Sequence, residues 1–210
     1  FYGGTYWPPR ARSGMPGFDQ VLSAVADAWK QRRDETSAQA KKLTEHIASI
    51  STAQVPPTEL DESLLSAAAA ALRQSFDSVH GGFGAAPKFP HAMDLQLLLR
   101  LAQRFGQSDL HAIVRTTLDR MAAGGIYDHL GGGFARYSVD ARWLVPHFEK
   151  MLYDNGLLAA TYVDAYLAGG DPRDAAVARD ILDYVLRDMT DSTGGFHSTE
   201  DADSEGEEGK

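Results

Sequence analysis

Residues 126–155, IYDHLGGGFARYSVDARWLVPHFEKMLYDN, crowd ionisable and aromatic side chains around three glycines. A long connection so rich in reactive groups is where a rigid scaffold carries function. Among them His147 and His129 can move protons near neutral pH, and the carboxylates Glu149 and Asp128 can tune or replace them. These four are the catalytic candidates. Arg136, Tyr137, Asp140, Trp143, Lys150, Asp154 and Asn155 are the binding candidates. Aromatic faces beside charged groups suit a sugar, whose C–H surface stacks while its hydroxyls take hydrogen bonds. The same residues can equally form a buried ion-pair and hydrogen-bond network that anchors the loop. Asp128 and His129 are adjacent in sequence and face apart, so they form no dyad.

Lys88 lies in GGFGAAPKFPH, flanked by prolines, and is either a rigidly presented contact for an anionic ligand or a plain surface lysine. The segment is no phosphate loop, since Gly-x-x-x-x-Gly-Lys-Ser/Thr is absent. No metal site is expected, because His129 and His147 are 18 residues apart with no short-spaced ligand partner. The tail DADSEGEEGK has the start of a calcium loop (Asp201, Asp203, Glu205, Gly206), but a solvated turn is the default reading. No cofactor is called for.

These residues need elements to place them. An apolar stripe of Phe18, Val21, Leu22, Val25 and Trp29, resuming at Leu43, Ile47 and Ile50, predicts one helix of about 30 residues. STAQVPP reads as a linker, so the expected organisation is a unit at 1–52, a linker at 53–57 and a second unit at 58–210. Thr58 is the expected N-cap of a helix carrying Leu60, Leu64, Ala68, Leu72 and Phe76. Further helices are expected near 91–105, 108–123 (capped by Ser108), 147–168 and 172–190. His147 would then open a helix after Pro146, with Glu149 in its first turn. The second unit is expected to be all-α. Gly-Gly-Phe recurs at 81–83, 132–134 and 194–196, with two helices between successive copies. That is the pattern of stacked helical hairpins ending in glycine turns, each Phe folding back as a plug on the core.

The 210 residues carry 20 Lys and Arg against 29 Asp and Glu, a net charge of −9, which argues against nucleic acid as a partner. Residues 200–210 alone hold −5 of it. No run approaches a membrane span, so no membrane partner is expected. The absence of cysteine removes disulfides and thiolate chemistry from this stretch and fits a cytoplasmic location. The chain opens on Phe1 and ends within an acidic run, as a fragment would.

GGTYWPP, GMPGF, GGFGAAPKFP and the whole of 126–155 together resemble one family closely, over essentially the entire chain. It is the thioredoxin-domain-containing family of spermatogenesis-associated protein 20 and the YyaL-like proteins. The resemblance implies a mainly α chain: the C-terminal end of a thioredoxin-like α/β domain, including its last long helix, followed by the first hairpins of an incomplete (α/α)6 toroid. That barrel is related to six-hairpin glycosidases and N-acylglucosamine 2-epimerases. A carbohydrate ligand, handled by an epimerase, isomerase or glycosidase-like enzyme, is thereby implied. So is a protein partner for the thioredoxin-like domain. The alternative is a non-enzymatic redox-linked scaffold.

Overall fold

A computed structural model describes residues 7–12, 14–51, 61–205 and 207–208, with side chains described up to 205. The chain divides into two compact units, Phe1–Glu59 and Leu60–Lys210.

In the first unit the expected single helix is two, α1 (Phe18–Gln31) and α2 (Arg33–Ser51). At Arg32 the backbone leaves the helical region (φ −130°, ψ 38°), although its N–H still bonds Ala28 O and Thr36 N–H still bonds Arg32 O. No Gly or Pro marks the break, so periodicity runs straight through it. The Arg33 guanidinium folds back over the Trp29 ring at 4.6 Å. Neither helix buries a residue, and Phe18, Leu22, Val25 and Trp29 are all about half exposed.

The second unit is built from α3 (Glu62–Ser75), α4 (Ala92–Phe105), α5 (Ser108–Ala122), α6 (Leu152–Gly169) and α7 (Pro172–Asp188). Thr58 lies outside the described residues. Asp61 caps α3, accepting the Ser63 N–H at 2.8 Å. Leu72 and Phe76 of the expected stripe pack against the core, joined by Leu65 and Ala69, whereas Leu64 is exposed. Ser108 is the first residue of α5, not its cap; Gln107 holds that position without a side-chain bond. Pro172 opens α7 behind the capping Asp171, where a missing N–H costs nothing.

Helices α4 and α5 form one hairpin, α6 and α7 the next, and α4 packs against α6. The shared core takes Leu95, Leu98 and Leu99 from α4, Leu110, Leu118 and Met121 from α5, and Leu158 and Tyr162 from α6, all at or near full burial. Polar links sit inside it: Tyr162 OH donates to Leu118 O, and Gln96 Nε2 donates to Leu157 O and Thr161 Oγ1. Burying these groups is tolerable because each is paired.

Against the all-α expectation, two-residue antiparallel strands tie the loops together. β1 (Tyr137–Ser138) pairs with β2 (Pro146–His147), and β3 (Lys150–Met151) with β4 (Thr199–Glu200). β5 (Asp203–Ser204) pairs with β6 (Glu207–Glu208). Position 147 is therefore strand, and α6 starts only at Leu152. Met151 is extended, and the Pro146 and His147 backbone is taken up by pairing with β1. Glu149 consequently lies in an extended segment rather than a first helical turn.

Candidate functional site

Each glycine turn is one device used repeatedly. Asp77 Oδ1 accepts the Val79 and His80 N–H groups, and Asp128 Oδ1 accepts those of Leu130 and Gly131. Asp77 N–H bonds Gly82 O at 2.9 Å, Asp128 N–H bonds Gly133 O at 3.0 Å, and Asp191 N–H bonds Gly195 O at 2.8 Å. In the first two turns a lysine then clamps the carboxylate. Lys88 Nζ donates to Asp77 Oδ2 at 2.6 Å and to Gly81 O at 2.9 Å. Lys150 Nζ donates to Asp128 Oδ2 at 2.8 Å and to Gly132 O at 3.1 Å. Each lysine also lies over an aromatic ring, Lys88 over Trp143 and Lys150 over Tyr184. The backbone of each lysine pairs with the next loop along, Lys88 with Ser138 and Lys150 with Glu200. The locks thus couple successive hairpins.

Burial alone would raise the Asp77 and Asp128 carboxyls. For Asp77 the Lys88 ammonium and the turn N–H groups outweigh it and hold the group at about 2. For Asp128 the Gly131 N–H and Lys150 lead the opposing contributions, with the same result of about 2.

Phe83 and Phe134 are buried plugs as expected, but Phe196 in the third copy is exposed. Gly82 and Gly133 have φ of +75° and +77°. A Cβ on Gly82 would collide with Trp143 Cζ2, and one on Gly133 would lie 2.5 Å from Tyr184 Cδ1. Only glycine fits there.

Several sequence candidates are spent on this framework. Lys88 is fully buried on Asp77 and unavailable to an anionic ligand. Trp143 is fully buried, its Nε1–H donating to His80 O at 2.9 Å, so no sugar can stack on it. Asn155 is fully buried too; it accepts the Phe134 N–H and donates to Phe134 O and Met151 O. Asp140 accepts the Arg142, Leu144 and Val145 N–H groups and so folds the 139–145 loop; burial raises its carboxyl, but these bonds bring it below its ordinary value. Asp128 and Lys150 hold each other, and His129 Nε2 lies 2.9 Å from Gly124 O with its ring edge-on to Tyr127.

The remaining candidates converge on the β1–β2 pair. Register places Tyr137 opposite His147, and the two rings stack at 4.7 Å and 19°. Phe89 lies 4.8 Å from Tyr137 and is 40% exposed, so the aromatic ladder reaches solvent. Arg136 N–H bonds Glu149 O at 2.7 Å, and its guanidinium meets Glu149 Oε2 at 2.7 Å. His147 Nε2 is 3.9 Å from the same oxygen. Tyr153, half exposed, lies near Arg136 and, after Glu149, favours its charged form. Asp154, in the first turn of α6, is partly buried and makes no side-chain hydrogen bond among the described residues. Burial pushes its carboxyl up to about 6, with Arg136 opposing and Glu149 adding. A carboxyl poised near neutrality, a histidine and an aromatic ladder can together bind a polyol and move a proton.

Sequence reasoning missed Phe89, Tyr153 and Asp77. The signal for Asp77 was present: an aromatic-Asp pair starts seven and six residues before the Phe in both Phe76–Phe83 and Tyr127–Phe134. Among the described residues no group of three or more His, Cys, Asp or Glu is placed to hold a metal ion, the 201–205 tail included. No helix among them is long and apolar enough to cross a membrane.

A family model, Thioredox_DsbH (protein of unknown function, DUF255), matches residues 1–48. Spermatogenesis-associated protein 20 of Rattus norvegicus is 39% identical over 218 residues, covering all of this chain and 27% of that protein. The Homo sapiens protein is 40% identical over 217 residues, again across the whole chain, and 28% of its own length is covered. The chain thus spans about a quarter of the length of these curated relatives. Among solved structures, a sugar epimerase from a ruminal bacterium superposes with a TM-score of 0.58 at 15% identity, covering 66% of this chain and 40% of that one. Cellobiose 2-epimerase from Bacillus thermoamylovorans gives 0.57 at 10% identity, covering 67% and 42%. At such identities the likeness is one of fold: helical hairpins of an (α/α)6 toroid, of which this chain carries a part. By its relatives across the entire length, the chain belongs to the family of spermatogenesis-associated protein 20.

Proposed function

We propose that the second unit binds a carbohydrate at the cluster of Phe89, Arg136, Tyr137, His147, Glu149 and Asp154. The carrying observation is the Phe89–Tyr137–His147 ladder reaching solvent beside the Arg136–Glu149 pair, with Tyr137 and His147 set opposite each other by the β1–β2 register. The fold likeness to proteins named as sugar epimerases supports the reading. Proton transfer at a sugar carbon falls to His147 with Glu149 beside it, rather than to His129 and Asp128, which are spent on the turn. The aromatic ladder takes the C–H face of the sugar, and the polar groups take its hydroxyls.

The test is thermal denaturation of the full polypeptide against a panel of reducing mono- and disaccharides. A ligand that binds only the folded state stabilises it by about 2.7 kcal/mol at a hundredfold excess over Kd. At least one sugar is expected to raise Tm in a concentration-dependent way, and Tyr137→Ala should abolish the rise. A flat response to every sugar favours a scaffold without a sugar site.

A further inference from the structure

Resting on that carbohydrate reading, we infer that Phe89, two rings away from His147, is the stacking platform, and that the cluster therefore takes a ligand of at least two sugar units. The hydrogen bonds of β1 fix this arrangement. Ser138 turns its N–H and C=O to Lys88, at 2.9 and 2.8 Å, whereas Tyr137 and Val139 pair along the other edge with His147 and Val145. β1 is thus the middle of three extended segments, with residues 88–89 on one side and β2 on the other. Lys88 opposite Ser138 in antiparallel register brings Phe89 opposite Tyr137, which His147 meets from the far edge. Successive side chains of an extended segment point to opposite faces. Lys88 and Ser138 are accordingly buried on one face, and Phe89, Tyr137 and His147 stand in a row on the other.

Tyr137, in the middle of the row, is met by Phe89 at 4.8 Å on one side and by His147 at 4.7 Å on the other, so both of its faces are covered. It positions the end rings rather than stacking on a sugar itself. Phe89 is an end ring: among the described residues it meets no aromatic ring but Tyr137, and it is exposed. Its mount is rigid. Pro90 restricts Phe89 to extended backbone, and the Lys88 side chain behind it is clamped on Asp77 and Gly81 O. An exposed aromatic face held in this way receives the C–H surface of a sugar with little ordering cost. The polar end of the row is the opposite one, where His147 Nε2 lies 3.9 Å from the Glu149 oxygen that Arg136 also holds. A sugar unit on the outer face of Phe89 is separated from His147 by both ring steps and by its own contact distance of roughly 4 Å. One pyranose does not span that. A second unit, linked to the first, supplies the hydroxyls that meet Arg136 and Glu149 and the carbon that meets His147.

The experiment is isothermal titration of the full polypeptide with glucose and mannose, and with cellobiose, maltose and mannobiose. At least one disaccharide is expected to bind about ten-fold or more tighter than either monosaccharide. Phe89→Ala should remove that difference, and Phe89→Trp, which keeps an aromatic face, should retain it. Comparing one-unit with two-unit ligands on the unaltered protein keeps the test decisive if Phe89→Ala fails to fold. If a monosaccharide binds as tightly as every disaccharide, or a folded Phe89→Ala keeps the preference, this inference is overturned while the carbohydrate reading stands. If none of the sugars binds, both fall.

Discussion

At the scale of single residues, Asp154 and Lys88 show opposite ways of handling a covered charge. The Asp154 carboxyl is pushed up to about 6 from an ordinary 3.8, so the folded state holds its proton more tightly than the unfolded one. Its stability contribution is best below pH 4 and is lost as pH rises through 6. Asp154→Asn is therefore expected to stabilise the protein by about 1–2 kcal/mol above pH 7, after allowance for solvent screening, and by little at pH 4. Denaturant melts at the two pH values measure this; equal gains at both would contradict it. A site residue that costs stability is the usual sign of function. Lys88 is fully buried yet paired and bonded to a carbonyl. Lys88→Met should cost about 3 kcal/mol, because it strands the Asp77 carboxylate. Lys41→Met, in an exposed pair 3.9 Å from Glu45, should change stability by less than about 0.5 kcal/mol. A comparable loss for both would dismiss the lock.

At the scale of elements, the glycine turn and its lock carry the architecture. Gly82→Ala should cost about 3 kcal/mol, from left-handed backbone and collision with Trp143 together. Gly194→Ala, at φ +89° with no atom within 4 Å of the added carbon, should cost only about 1 kcal/mol. Equal costs would mean the ring does not pack as described. Asp77 and Asp128 ionise near 2, so the stability they lend is full above pH 4 and lost as pH falls toward 2. Acid unfolding should therefore centre in that window and move upward in Lys88→Met. Helices α4, α5 and α7 were legible in the sequence because their apolar period is strong and local signals bound it: Gly106 ends α4, and Asp171 with Pro172 opens α7. The start of α6 was not. Pro146 and His147 fit a helix start as well as a strand, and only long-range pairing with Tyr137 and Ser138 decides. The role of Trp143 was equally hidden, since composition does not tell a ring that stacks on ligand from one that fills the core. Tyr137, His147 and Arg136 were legible as site candidates, whereas Phe89 comes from another loop and no local pattern connects it to them.

At the scale of the whole molecule, the second unit shows Tyr166 and Leu167 on α6 and Leu182 and Leu186 on α7 to solvent, with Leu167 75% exposed. Apolar faces of this kind associate. The 210-residue polypeptide is expected to self-associate at micromolar concentration, and Leu167→Lys with Leu186→Lys should reduce this; a monodisperse monomer in sedimentation would contradict it. The central claim is where a sugar sits, and the most direct measurement is to titrate the full polypeptide with a saturating sugar while following side-chain NMR resonances. Phe89, Tyr137, His147 and Asp154 signals are expected to move, while the Trp143 indole N–H, held by His80 O, stays in place. Shifts at Trp143 with none at Tyr137 and His147 would contradict it.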